Sequence, residues 1–324
     1  MSKKRHGALS CLAGAALLAA PGGALAREPK LTEPKAALAA SLKCSDDVDH
    51  AKRTPLMLVT GTGASGDEAY AIAKPALDYR AIPRCWVNFP DHTTADIQRS
   101  VQYLVHGLRV VHKRAGRKVA VFGISQGGLL PRVALTYWPS LRKMVDDVIA
   151  AAGTQHGTTV FSGCGVNGKR CVPADFQQAA GSHFLRALNA YPDETPGPTS
   201  WTTVRSATDE VVQPQTGKHP TSALAGASNV LIQAVCPGRK TNHIGTALDS
   251  VTGELIFDAI NHKGPGKVSR LPKDVCSHRY AKGLDEASTD ATIQAAGTVT
   301  ASRGDSEPKV AREPALRSWV KPRR

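Results

Sequence analysis

The sequence predicts an α/β protein: a mostly parallel, doubly wound sheet with helices on both faces. Two observations carry this. Short apolar runs alternate repeatedly with longer segments of helical periodicity, the pattern of strand–helix–strand units. The chain has 324 residues, 41% of them hydrophobic and 21% charged, enough for one sizeable core. Collagen, coiled coil and wholesale disorder are excluded by the same fractions, and no internal repeat is visible.

Residues 1–26 come first. Lys3, Lys4 and Arg5 precede an apolar run from Ala8 to Ala20 and the small-residue site Ala24-Leu25-Ala26. This is the pattern of a secretory signal peptide, cleaved after Ala26. The run falls short of the about 20 apolar residues a membrane anchor needs. Cys11 stands too early in it for a lipid-attachment cysteine.

A polar leader reaches about residue 54. Leu56 to Val59 and Cys85 to Phe89 then read as buried strands. From Thr94 to Arg114 the positions Ile97, Val101, Leu104, Val105, Leu108 and Val111 recur at helical spacing, and Gly116 ends that helix. Val119 to Phe122 is a strand, Gln126 to Trp138 a helix before Pro139, and Val148 to Ala152 a strand. A helix is expected over 174–188, with Phe176, Ala180, Phe184 and Leu188 on one stripe. After a Pro-rich loop at 192–198 come strands at Thr202 to Arg205 and Val230 to Val235, then a helix from Asp249 to Ile260. One catalytic domain is expected over 27–280. Residues 281–324, poor in large apolar side chains, read as an extension that packs on the domain or frays.

Forty-one Lys and Arg against 27 Asp and Glu give +14. The first 26 residues hold three of the cations and no acid, so the mature chain carries 38 against 27, or +11. The charges are scattered and only 5% of residues are aromatic, which argues against nucleic acid and for a solvated basic surface. Export makes disulfides the natural state of the six cysteines left, at 44, 85, 164, 171, 236 and 276. Six cysteines allow 15 pairings. Cys164 and Cys171 lack the paired spacing of a zinc site, so no metal is expected. No Asn-x-Ser/Thr sequon follows residue 26.

The chemistry gathers at Gly123-Ile124-Ser125-Gln126-Gly127, a G-x-S-x-G between a strand and a helix. In that setting a sharp turn exposes the serine hydroxyl as a nucleophile. Serine needs a base, and the base needs a carboxylate, in chain order Ser, acid, His. Asp209 and Glu210 are the acids just past a strand; Asp146, Asp147, Asp175, Asp193 and Glu194 lack that placement. His243, in the loop after Val230 to Val235, is better placed than His219, His262 or His278. An oxyanion hole needs the backbone N–H of Gln126 and a donor from the loop after an early strand, here Thr60 to Gly66. No G-K-[ST] follows those glycines, which sets nucleotide binding aside.

The segments LVTGTGASG, CWVNFP, GISQGGLLPRVALTYWPSLR, SATDEVVQPQ and AVCPGRKTNHIG stand in the order and approximate spacing of the α/β-hydrolase lipases of the Candida antarctica lipase B type, which residues 44 to about 280 resemble. The resemblance implies the triad Ser125, Asp209 and His243. It implies an oxyanion hole of Thr62 and Gln126, with the Thr62 hydroxyl as an extra donor. It sets Ile124, Thr154, Gln178 and Val211 at the substrate pocket. Ile124 stands where the yeast lipase has a bulky aromatic and Thr154 where it has an acid, so its chain-length and stereochemical preferences do not carry over. The family's pairing implies the disulfides Cys44–Cys85 and Cys236–Cys276, leaving Cys164 with Cys171. The expected protein is a secreted, extracellular, monomeric serine ester hydrolase without cofactor, most specifically a triacylglycerol lipase that touches a lipid interface transiently. A short-chain carboxylesterase or polyester hydrolase is the rival within the enzymes, and a catalytically silent binding protein the rival outside them.

Overall fold

The computed structural model describes residues 28–320; the signal-peptide reading lies outside them. The chain enters through helix α1 (Lys35–Ser41) and strand β1 (Leu42–Cys44), both inside what the sequence suggested was only a polar leader. β2 (Leu56–Val59) follows. Its exit loop leads into α2 (Gly66–Tyr79), started by a reciprocal cap: Ser65 accepts from the Glu68 N–H, and the Glu68 carboxylate accepts from the Ser65 N–H. β3 (Arg84–Val87) comes next, and α3 (Ile97–Ala115) begins on Asp96, whose carboxylate accepts from the Gln98 N–H at 2.9 Å. Gly116 ends α3 at φ 67°, the left-handed conformation glycine tolerates best.

β4 (Val119–Ile124), α4 (Gln126–Tyr137) and β5 (Val145–Ala151) form the next strand–helix–strand unit. Beyond it the expected helix over 174–188 is two helices, α5 (Pro173–Gln178) and α6 (His183–Asn189). Gly181 at φ 78° and the Ser182 side chain, which accepts from the Leu185 N–H, restart the helix. Between the two, Ala180 N–H donates to Thr158 O at 3.1 Å, so Ala180 is not on a helical stripe. β6 (Ser200–Arg205) and β7 (Ser228–Leu231) follow. The strand expected as far as Val235 stops at Leu231, because its neighbour β6 ends at the paired residue Arg205 and offers nothing further to pair with. Ile232–Val235 coils into the short α7 instead. α8 (His243–Leu248), α9 (Ser250–Asn261) and the 21-residue α10 (Glu286–Ser306) complete the order.

The seven strands stand in the order β1-β3-β2-β4-β5-β6-β7, with β1 antiparallel and the rest parallel. The side-chain period of two sends alternate residues to opposite faces. Met57 and Val59 join Val101, Leu104, Leu108, Leu129 and Val133 in one core cluster. Leu56 and Leu58 join Phe122, Ile149, Ile256 and Ala259 in the other. Both faces are therefore covered, as a parallel sheet requires. Chain direction across the sheet reverses between β2 and β4: β2 leads outward to β3, and β4 leads the other way to β5. Such a switch point opens a crevice at the carboxyl ends of the two strands.

Residues 316–320 of the expected extension pack on the domain core. Val320 is fully buried, its carbonyl accepts from Tyr137 Oη at 3.2 Å, and Trp319 meets the rings of Tyr137 and Trp138 edge-on. Low apolar content concealed this, because a few large side chains make the contact. Cys44 and Cys85 are register partners on β1 and β3, and the structure joins them. It also joins Cys164 to Cys171 and Cys236 to Cys276.

Of the buried acids away from the crevice, Asp147 on β5, 3% exposed, is left without a partner at one oxygen: its Oδ1 has no hydrogen-bond partner among the described residues. Burial, with Asp146 beside it, pushes its pKa up to about 8 from 3.8. The folded chain therefore keeps a proton that the unfolded chain releases, and stability falls as pH rises from 3.8 towards about 8. Asp147→Asn is expected to flatten that slope and raise the thermal midpoint at pH 7 by roughly 2–4 °C. A midpoint that drops in thermal unfolding at pH 7 would contradict this.

Candidate active site

Ser125 sits at the junction of β4 and α4 with φ 57° and ψ −126°, a conformation L-residues rarely adopt. The flanking glycines make the turn possible. A Cβ on Gly123 would lie 2.0 Å from the Gly127 carbonyl oxygen, and one on Gly127 would lie 2.1 Å from that of Val59. Either collision would push the helix off the strand. The loop after β2 lies directly against the serine: a Cβ on Gly61 would be 3.0 Å from Ser125 Cβ. Next along the loop, the backbone N–H of Thr62 has no partner among the described residues, and neither has that of Gln126. Two free N–H donors thus stand beside one hydroxyl, as an oxyanion hole requires.

Asp209 follows β6 and His243 follows β7. These strands are neighbours, so both residues arrive at the same edge of the sheet although 34 positions apart. Ser206 and Thr208 hydroxyls both donate to Thr241 O at 2.8 Å, which laces the two loops together. His243 Nδ1 lies 3.1 and 3.0 Å from the two carboxylate oxygens of Asp209. The carboxylate also accepts from the Val211 and Val212 N–H groups, each at 2.9 Å, and from Gln215 Nε2 at 3.3 Å. Burial opposes the charge, but the His243 hydrogen bond and charge, with the Val212 and Val211 N–H groups, hold the Asp209 pKa below its ordinary value. An ionised Asp209 keeps the proton on Nδ1 and leaves Nε2 as the basic nitrogen.

His243 is the first residue of α8 rather than a loop residue. Its backbone N–H donates to Glu210 Oε2 at 3.0 Å, so the two neighbouring acids hold different parts of one histidine. Sequence reasoning missed Gln215. Its place inside SATDEVVQPQ was the signal that could have found it. The Ser125 hydroxyl itself makes no hydrogen bond among the described residues.

The expected pocket residues divide. Thr154 and Gln178 are 1% and 0% exposed and stand behind Thr62, not on an open wall. Thr154 Oγ1 donates to Gln178 Oε1 at 3.0 Å, and Gln178 Nε2 donates to Thr62 Oγ1 at 2.9 Å. Thr62 Oγ1 in turn donates to Gln126 Oε1 at 2.6 Å. Its single proton is therefore engaged, and the hydroxyl must rotate before it can serve an oxyanion. Ile124 and Val211 are half-buried at the strand ends beside the serine and the acid. Metal-type donors meet in one group among the described residues, Cys164, Cys171 and Asp175, where the disulfide removes the thiolates a metal would need.

Over 214 residues the chain is 34% identical to lipase B of Pseudozyma antarctica, a match that covers 64% of this chain and 62% of that protein. The fold superimposes on the crystal structure of Aspergillus fumigatus lipase B with a TM-score of 0.80 at 28% identity, over 93% of this chain and 74% of that one. This is an α/β-hydrolase fold. The chain resembles lipase B in particular, while the aligned part spans less than two thirds of the Pseudozyma protein. No family model matches the chain. In the lipase B-like frame described above, Ser125, Asp209 and His243 follow β4, β6 and β7 in turn.

Proposed function

We propose that the chain is a serine carboxylic-ester hydrolase that works through an acyl-serine intermediate, and specifically a secreted triacylglycerol lipase. The observation that carries the reading is the His243–Asp209 pair at 3.0 Å on the crevice that holds Ser125 and the free N–H groups of Thr62 and Gln126. In this reading His243 Nε2 takes the Ser125 proton as the oxygen attacks the ester carbon. Asp209 stabilises the imidazolium so formed, and the two N–H groups receive the oxyanion. The alcohol leaves with that proton, and water repeats the sequence on the acyl-serine. Export is supported by the leader sequence and by three disulfides. A single catalytic unit is supported by the continuous sheet and by the packing of residues 315–320 on its core.

The test pairs labelling of Ser125 by a serine-directed phosphonate with turnover of p-nitrophenyl esters of graded chain length and of emulsified triglyceride. Labelling with triglyceride turnover supports the lipase. Short-ester turnover alone makes it an esterase, and no labelling makes it a silent binding protein.

Interfacial activation is expected to be weak. The segment 160–174, where this family carries its short lid, exposes Val160 and Val166. Its centre is Gly165-Val166-Asn167-Gly168-Lys169-Arg170, with two cations. The Cys164–Cys171 bridge closes that loop, and Cys171 exchanges two backbone hydrogen bonds with Val310, at 3.2 and 2.8 Å. Little apolar area and a pinned base leave little to open at oil. Rate against concentration of a partly soluble ester should saturate smoothly through the solubility limit. A sharp jump there would point to another lid.

A further inference from the structure

Helix α10 lies across two parts of the candidate machinery. Near its middle, Ile293 and Gly297 face α8: Ile293 Cδ1 is 3.7 Å from where a Cβ on Gly245 would stand, and a Cβ on Gly297 would be 4.0 Å from Ile244 Cδ1. Over its last two turns it rests on the loop after β2, where a Cβ on Gly63 would come within 2.9 Å of the Thr300 carbonyl oxygen. Arg303 reaches from these turns into the loop. Its Nη1 donates to the Gly63 carbonyl at 3.1 Å and to Glu68 Oε2 at 2.6 Å, and its Nη2 donates to Glu68 Oε1 at 2.6 Å.

We propose that Arg303 is a positioning residue that holds the oxyanion loop in its working shape through the Gly63 carbonyl. Gly63 directly follows Thr62 and has φ 81°, a conformation from which a glycine peptide can swing at little cost. Tertiary contacts hold it from both sides. Its N–H donates to the His92 carbonyl at 2.8 Å, and its C=O accepts from Arg303. Thr93 Oγ1 donates to the next carbonyl, Ala64 O, at 2.9 Å. Glu68 anchors the guanidinium at the right depth, because its carboxylate is itself fixed by the Ser65 N–H and hydroxyl at 2.8 and 2.9 Å. Arg303, its largest influence, holds the Glu68 pKa down at about 2, so the pair stays ionised at neutral pH. A planar fork suits this double duty: one edge meets the carboxylate and one N–H is shared with a carbonyl. Without it the Gly63–Ala64 peptide gains a second orientation, and Gly63, joined directly to Thr62, no longer holds the Thr62 N–H where negative charge develops.

The inference rests on the hydrolase reading, so wild-type ester turnover is measured first; its absence would overturn both. With turnover present, Arg303→Gln, Arg303→Lys and Arg303→Gln with Glu68→Gln are compared per titrated active site. The readouts are kcat, KM and affinity for an alkylboronic acid, which forms a tetrahedral adduct on the serine. Expected for Arg303→Gln is a loss of about tenfold in kcat and in boronic acid affinity with KM within about twofold, since only the charged tetrahedral species uses the hole. Arg303→Lys should recover part of it. The double variant leaves no unpaired charge and should keep the full defect. Wild-type kcat per site in Arg303→Gln, or restoration in the double variant, would overturn the assignment and leave Arg303 a structural ion pair. If Arg303→Gln does not fold, Arg303→Lys decides by the same split between kcat and KM.

Discussion

Ser125→Ala and His243→Ala are each expected to lower ester hydrolysis by on the order of 10⁶-fold while leaving thermal unfolding close to wild type, because nucleophile and base act as one unit. Neither side chain carries the fold. The buried mass of the molecule lies in the two sheet-face clusters, which contain neither residue. The elbow at Ser125 depends on the flanking glycines rather than on the hydroxyl. The double variant should be no slower than either single one. Rates within tenfold of wild type in either variant, measured with p-nitrophenyl esters on protein free of wild-type contamination, would defeat the assignment.

Asp209→Asn should cost about 10⁴-fold in kcat, because an amide nitrogen facing Nδ1 forces the wrong tautomer on the base. Asp209 accepts from Val211, Val212 and Gln215 as well as from His243. An asparagine that keeps its oxygen on the Val211 and Val212 N–H groups, which both donate to Oδ1, must set its NH2 in the place of Oδ2, facing Gln215 Nε2 and His243 Nδ1. Glu210→Gln is the control and is expected to stay within about tenfold, since Glu210 accepts from the His243 backbone N–H and a glutamine carbonyl can do the same. A severe Glu210→Gln beside a mild Asp209→Asn would exchange the two roles.

Much of this was legible in the chain. The helix over Ile97–Ala115 announces itself because six apolar side chains at helical spacing all reach one core, between Asp96 and Gly116 at its ends. The elbow was legible for a similar reason: the glycine requirement at 123 and 127 is met within five residues of sequence. What failed were features set by a neighbour. The strand at Val230 ends early because β6 ends, not because of anything in Ile232 to Val235. The break in 174–188 had a local signal in Gly181-Ser182, but the pairing of Ala180 with Thr158 comes from a distant loop. The choice between Asp209 and Glu210 was likewise open in the residues themselves, and only the family resemblance favoured Asp209.

Alone, the sequence determined the alternation of strands and helices, the inward face of the helix over Ile97–Ala115, the strand-to-helix turn at Ser125 and the chain order of serine, acid and histidine. These follow from side-chain periodicity and glycine sterics, which act over a few residues. Tertiary structure alone decided that the Asp209 carboxylate is also held by Gln215, that the Thr62 hydroxyl is spent on Gln126, and that Trp319 and Val320 lock onto Tyr137 and Trp138. It also brought Arg303 onto Gly63, 240 positions away. Such contacts join residues whose separation along the chain carries no periodic signal. Hydrogen bonds need placement to within tenths of an ångström, and that placement exists only once the sheet has brought its strand ends together.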